Sequence, residues 1–270
     1  MEPGARRIVE RYLGWADQMV PGQVVGAYVV GSTALGAYRE GRSDLDVVMV
    51  LDRPVALGRL RALHTVSWSG ALARAWPRGR VWIPGNVNAV YVMADDLTRP
   101  VTTIVPVASH TGLLFAAGKG FDVNPVMWKV LAERGIAVRG EQPGALGLDP
   151  EPGALKDWNL GNLDGYWGPW AADLGAGRGQ WWRNSAWTVA WGALGAPRLH
   201  CTIATGEVVS KEAAGEYALA TFGDEWRPVV EEGLAYCRGE PSPGHLRDRG
   251  RRTSATAAFV QEVVRSAHAL

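Results

Sequence analysis

Near the start of the chain, apolar residues recur at Ile8, Val9, Tyr12, Leu13 and Ala16, a helical stripe over 6–19 that stops before Pro21-Gly22. A β-branched run over 24–30 then predicts a strand, and Gly31-Ser32 breaks it and opens a short helix over 33–38. A second apolar run, Leu45–Leu51, is entered through Ser43-Asp44-Leu45-Asp46. In extended chain, positions two apart share a face, so Asp44 and Asp46 project together while Leu45 turns to the core. Further on, 57–74 predicts a helix, and 80–83 and 88–93 predict strands, the first ended by Pro84-Gly85 and the second by Asp95-Asp96. Asn124-Pro125 starts a helix over 126–134, Gly135 stops it, and Ile136–Arg139 is the last strand. This is the pattern of a mixed sheet carrying helices.

Beyond residue 140 the pattern changes. Residues 141–153, rich in Gly and Pro, predict a linker, and everything after reads as helix: 155–174, 184–205, 210–222, Arg227–Arg238 and 253–267. A four- or five-helix bundle follows. The expected fold class is therefore α+β, with a sheet-and-helix domain over 1–140, a linker over 141–153 and an all-α bundle over 154–270.

Composition narrows this picture only in places. With 270 residues, 47% of them hydrophobic, the chain can fill two cores. The net charge of +1, with acids and bases interspersed, argues against a long nucleic-acid partner, and the densest basic run, 245–252, is short. No apolar run reaches signal-peptide or membrane-spanning length, so no membrane partner is expected. Cys201 and Cys237 show neither a disulfide framework nor zinc spacing, and the five histidines show no metal spacing, which makes a reducing cytoplasm the default. A small-molecule partner fits best.

The chemistry concentrates at the first two strands. Two hard carboxylate oxygens on one side of a strand suit Mg²⁺. Gly31 lets the chain turn closely, and the Ser32 hydroxyl and nearby backbone N–H groups meet the anion that the metal holds, most simply a nucleotide triphosphate. A strand, Gly-Ser, a short helix and then Ser-Asp-x-Asp entering a second strand resembles the signature of the nucleotidyltransferase superfamily. The resemblance implies that Asp44 and Asp46 hold Mg²⁺ against ATP, that Gly31, Ser32 and Ser43 belong to the nucleotide site, and that a nucleotide monophosphate is passed to a hydroxyl.

Two later stretches narrow the family. The run from Arg198 through Thr205-Gly206 to Lys211, and Trp226-Arg227-Pro228 with Ala235-Tyr236, are similar to the helical domain of aminoglycoside 3''-type adenylyltransferases, the AadA-like enzymes. That likeness implies contacts to ATP from Arg198, Lys211 and Tyr236: fixed cations for the triphosphate and a ring for adenine. It also places a catalytic glutamate on the strand after the metal strand, and here that register falls at Asn88, an amide that cannot take up a proton. No Asp or Glu occurs between Pro54 and Ala94. A family aspartate ten residues before the arginine appears as Thr188. In compensation, Trp158, Trp167, Trp170, Trp181, Trp182, Trp187 and Trp191 crowd one region, and Asp164, Trp167 and Trp170 are the candidate acceptor contacts. The expected activity is ATP- and Mg²⁺-dependent adenylylation of an aminoglycoside or aminocyclitol hydroxyl. The alternatives are a nucleotide- or drug-binding homologue with lost catalysis, and an adenylyltransferase acting on protein or RNA.

Overall fold

The stripe Val9, Tyr12, Leu13 and Ala16 is buried along α1 (Pro3–Met19), which is presented to a six-stranded sheet. This computed structural model describes residues 1–75, 86–178, 185–246 and 248–270, so the strand expected over 80–83, and Trp181 and Trp182, lie outside the described residues. The chain divides into two compact units, Met1–Pro152 and Gly153–Leu270.

In the first unit β1 (Val24–Val29) leads into the short α2 (Gly31–Ala34), shorter than the helix expected over 33–38, and then β2 (Leu45–Leu51). Helix α3 (Leu57–Ala75) connects β2 to β3 (Val87–Met93), which lies parallel to it. A hairpin not evident from the sequence follows, β4 (Ala108–Thr111) and β5 (Leu114–Ala117), before α4 (Pro125–Arg134) and β6 (Ile136–Arg139). The strand order is β5-β4-β3-β2-β1-β6, antiparallel except for the central β2–β3 pair. Alternation divides the two central strands: Leu45, Val47, Met49 and Leu51 with Val87, Ala89 and Tyr91 pack with α1 and α3 residues in one core, and Asp46 and Asn88 belong to the opposite face. The stretch 141–152, expected as linker, packs onto this unit: Val101 donates to the Asp149 carbonyl at 3.1 Å and Thr102 N–H to Glu151 at 2.6 Å.

The elements described in the second unit are helices: α5 (Leu155–Asn162), α6 (Gly168–Gly175), α7 (Ala186–Thr205), α8 (Lys211–Thr221), α9 (Arg227–Arg238) and α10 (Arg249–Ala267). The single helix expected over 155–174 is interrupted by a π-turn at Leu163–Trp167. Ser185 caps α7 by accepting from Thr188 N–H at 3.2 Å, and Ser210 caps α8 by accepting from Ala213 N–H at 3.2 Å. Leu163, Trp167, Val189, Leu194, Val230, Phe259 and Val263 form its core. No helix among the described residues is long and apolar enough to cross a membrane.

Beneath the sheet a polar network ties α1 to β3 and β4. The Tyr12 and Tyr91 hydroxyls are hydrogen-bonded, Tyr12 also meets His110 Nε2 at 2.7 Å, and the His64 ring from α3 lies 4.5 Å from that of His110. Burial, with the neighbouring His64, pushes His110 down to about 3, and burial pushes His64 down and both tyrosines up. Because an unfolded histidine takes up its proton near 6.5 and folded His110 only near 3, the unfolded chain binds that proton first as pH falls. Stability should therefore drop between those two values by up to about 1.4 kcal/mol per pH unit from this group. Denaturant titrations from pH 7.5 down to pH ~4.5 should show a steeper loss in the parent than in His110→Gln, and parallel curves would rule out a buried neutral His110.

Candidate active site

The site is built where β1 ends and β2 begins. Val30 N–H donates to the Asp46 carbonyl at 2.9 Å, closing the two strands, and the chain then turns at Gly31 with φ of +59°. A Cβ added to Gly31 would collide with the Asp46 carboxylate, so this position needs glycine both for its left-handed backbone and for the close approach of that carboxylate. Leu45 is fully buried, while its neighbours Asp44 and Asp46 stay half-buried. Ser32 stands in α2, partly exposed, and Thr33 beside it is buried with its hydroxyl unpartnered. The Ser43 hydroxyl accepts from Arg39 N–H at 3.0 Å, and Ser43 N–H donates to the Arg39 carbonyl at 2.9 Å, so this serine closes the loop that delivers the acids.

Asn88 is the register partner of Asp46 across the parallel pair. Its Nδ2 donates to Asp46 Oδ1 at 3.1 Å, and its Oδ1 accepts from Asn86 Nδ2 at 3.1 Å and from Gly112 N–H at 3.2 Å. Both ends of the amide are engaged, and it is 7% exposed. The amide thus orients a carboxylate where a third acid would repel it, and it has no capacity to accept a proton.

A carboxylate that sequence reasoning passed over feels the charge of Asp46. Asp122 sits in the loop between β5 and α4, where burial, with the Asp46 charge adding to it, pushes its carboxyl up to about 7. The loop is pinned along its length. Ser109 Oγ donates to the Lys119 carbonyl at 2.7 Å, Gly120 lies so close to Val90 that an added Cβ would meet Cγ2 at 2.9 Å, and Asn124 Nδ2 donates to the Phe121 carbonyl at 2.5 Å. Asn124 Oδ1 also caps α4 by accepting from Met127 N–H at 2.9 Å. Nothing in the local pattern around Asp122 marks it.

Asp44 and Asp46 fit Mg²⁺, which favours a few carboxylate oxygens and completes its shell with water and phosphate. Among the described residues no three His, Cys, Asp or Glu side chains gather into an all-protein metal cage.

In the helical unit Arg198 Nε donates at 3.1 Å to the Val209 carbonyl, one residue before the cap of α8, which sets the guanidinium beside the helix start that carries Lys211. The Lys211 ammonium lies 5.0 Å from the centre of the Trp191 ring. Trp191 stacks on Trp187 at 5.4 Å and donates Nε1–H to the Tyr166 hydroxyl at 2.9 Å. Tyr236 is partly buried against the helical core. Of the three candidate acceptor residues, Trp167 is a core ring: it is 5% exposed and fills the space over Gly195. Trp170 packs over Gly192, where an added Cβ would meet its ring at 2.8 Å, and Asp164 pairs with His268 Nε2 at 2.8 Å. The aromatic surface beside Lys211 is thus built from Trp187, Trp191 and Tyr166.

A glycine turn followed by an acid pair at the head of a central strand, on a mixed sheet, defines a nucleotidyltransferase, and residues 9–73 match the model of the nucleotidyltransferase domain. Residues 180–264 match the aminoglycoside adenylyltransferase C-terminal domain, and the two matches together support an AadA-like aminoglycoside nucleotidyltransferase. Its fold is that of the spectinomycin adenyltransferase AAD(9) from Enterococcus faecialis, solved with ATP and spectinomycin: the TM-score is 0.64 at 13% identity, over 96% of this chain and 98% of the other. Sequence comparison with curated proteins gives no match.

Two substitutions probe this geometry. Gly31→Ala should displace the Asp46 carboxylate and strain the turn, lowering stability by about 1–3 kcal/mol, with a matching loss of Mn²⁺ affinity in electron paramagnetic resonance titration. Asn88→Ala leaves the buried Asn86 amide and the half-buried Gly112 N–H without this acceptor and should cost about 1–3 kcal/mol in thermal unfolding; an unchanged melting curve would show the amide to be idle.

Proposed function

We propose that this enzyme transfers AMP from ATP to a hydroxyl of an aminoglycoside or aminocyclitol in a Mg²⁺-dependent reaction. The observation that carries the reading is the Asp46 carboxylate held between the Gly31 backbone and the Asn88 amide, with Asp44 two residues away, just before β2 begins. Asp44 and Asp46 would hold Mg²⁺. When bound, the ion supplies positive charge that offsets the triphosphate and the departing pyrophosphate. Ser32 offers a hydroxyl to the phosphate oxygens. Arg198 and Lys211 supply fixed cations to the triphosphate, and Tyr236 a ring for adenine, as the family resemblance implies. ATP and an aminocyclitol acceptor are supported by the ligands of the structurally similar AAD(9).

The acceptor oxygen attacks the α-phosphorus, the bond to the β-phosphate oxygen breaks, and pyrophosphate leaves. What the residues contribute is alignment and charge, the terms that dominate phosphoryl-type transfers.

Incubation with ATP, Mg²⁺ and a panel containing streptomycin and spectinomycin should release pyrophosphate only when an acceptor is present. Asp44→Asn and Asp46→Asn should each abolish that release while the melting temperature is kept or raised, since removing one of two neighbouring carboxylates relieves repulsion in the metal-free protein. Lys211→Ala should raise the KM for ATP by about 10- to 150-fold, the equivalent of a charge-assisted phosphate contact of about 1.5–3 kcal/mol. ATP turnover independent of acceptor, or unaltered in the aspartate variants, would contradict the assignment.

A further inference from the structure

The start of α8 gathers cations where a helix least favours them. Lys211 is its first residue, directly after the Ser210 cap, and just upstream Arg198 Nε donates to the Val209 carbonyl at 3.1 Å. The unpaired N–H groups of a helix start carry about half a positive charge, which repels an ammonium and attracts an anion. We propose that Trp191 is a positioning residue for nucleotide binding: its ring holds the Lys211 ammonium at this helix start, and Tyr166 fixes the ring. This rests on the reading above that Lys211 meets the triphosphate, and names what keeps it in place.

The contacts that lead there all lie within the helical unit. The Lys211 ammonium stands over the Trp191 ring, 5.0 Å from its centre, inside the range in which the negative face of an indole attracts a cation. The acid of the same turn, Glu212, is bonded to Arg238 Nε at 2.7 Å. The Trp191 ring is itself held. Trp187, one turn earlier on α7, stacks on it at 5.4 Å with 14° between the planes, and the core ring of Trp167 lies 5.7 Å away. At its edge, Trp191 Nε1–H donates to the Tyr166 hydroxyl at 2.9 Å.

The Tyr166 contact gives the π-turn at Leu163–Trp167 a use. The turn keeps Leu163 and Trp167 in the core while Tyr166 stays 43% exposed, with its hydroxyl at the edge of the Trp191 ring. Helices often carry such turns at functional sites. A ring pinned at its edge and packed against other rings offers the ammonium a fixed face. A carboxylate in its place would compete with phosphate for the ammonium, whereas the ring steadies the cation and leaves its positive charge to the ligand.

The test is a double-mutant cycle on the affinity for Mg²⁺·ATP, measured by isothermal titration calorimetry without acceptor. Trp191→Leu should weaken binding by about 2- to 30-fold, the span of a cation–ring contact, Trp191→Phe should restore most of the loss, and Tyr166→Phe should fall between Trp191→Leu and the parent. In a Lys211→Ala background Trp191→Leu should cost nothing more, because the ring acts only through the lysine. Parental affinity in Trp191→Leu would overturn the proposal, as would an equal loss with and without Lys211. A raised KM for the acceptor with unchanged ATP affinity would make Trp191 an acceptor contact and overturn it too. Should Trp191→Leu fail to fold, Tyr166→Phe, at an exposed position, carries the same cycle, and parental affinity there has the same force. Lys211→Ala with parental ATP affinity would defeat the reading of Lys211 itself, whereas a weakened Lys211→Ala beside a parental Trp191→Leu defeats only the positioning role.

Discussion

Everything in the N-terminal unit turns on how closely backbone and carboxylate meet at the head of β2. Asp46 has Gly31 on one side and Asn88 on the other, and neither neighbour can be exchanged for a larger or charged side chain without moving it. The parallel β2–β3 register fixes one contact and the left-handed turn after β1 fixes the other. Sheet alternation does the rest, since Leu45 anchors the strand in the core and leaves Asp46 on its far side.

Asn88 gives this arrangement its particular electrostatic character. A carboxylate in its place would be a like charge within hydrogen-bonding range of Asp46, tolerable mainly with a cation between them. The amide removes that repulsion and adds a donor, so the acid pair is oriented even in the metal-free protein.

The sequence made some of this legible for definite physical reasons. β2 runs over Leu45–Leu51 as the pattern predicts, because a continuous β-branched and apolar run between polar breaks has few other readings. The Asn124-Pro125 helix start is likewise a local signal, with a cap and a proline that need no tertiary help. The hairpin of β4 and β5 was hidden, since Ser109, His110 and Thr111 look polar and His110 is buried against Tyr12 and His64, residues distant in the sequence. The π-turn at Leu163–Trp167 escaped for a similar reason, because Trp167 fits over Gly195 only by a contact between distant residues. Asp122 is the clearest case: its relation to Asp46 is created by packing between segments 76 positions apart and leaves no trace in spacing.

The tyrosine–histidine network under the sheet has a bearing on biosynthesis. Tyr12 is bonded to Tyr91 and His110, partners 79 and 98 positions later in the chain. Helix α1 therefore leaves the ribosome carrying a hydroxyl whose native partners do not exist for on the order of 5–20 s at ordinary elongation rates. Until then α1 has an apolar stripe and a buried-type polar group with nothing to cover them. The N-terminal unit is consequently committed to closing late, around the emergence of β4, and the nascent chain needs holding in the interval more than its compact final form suggests.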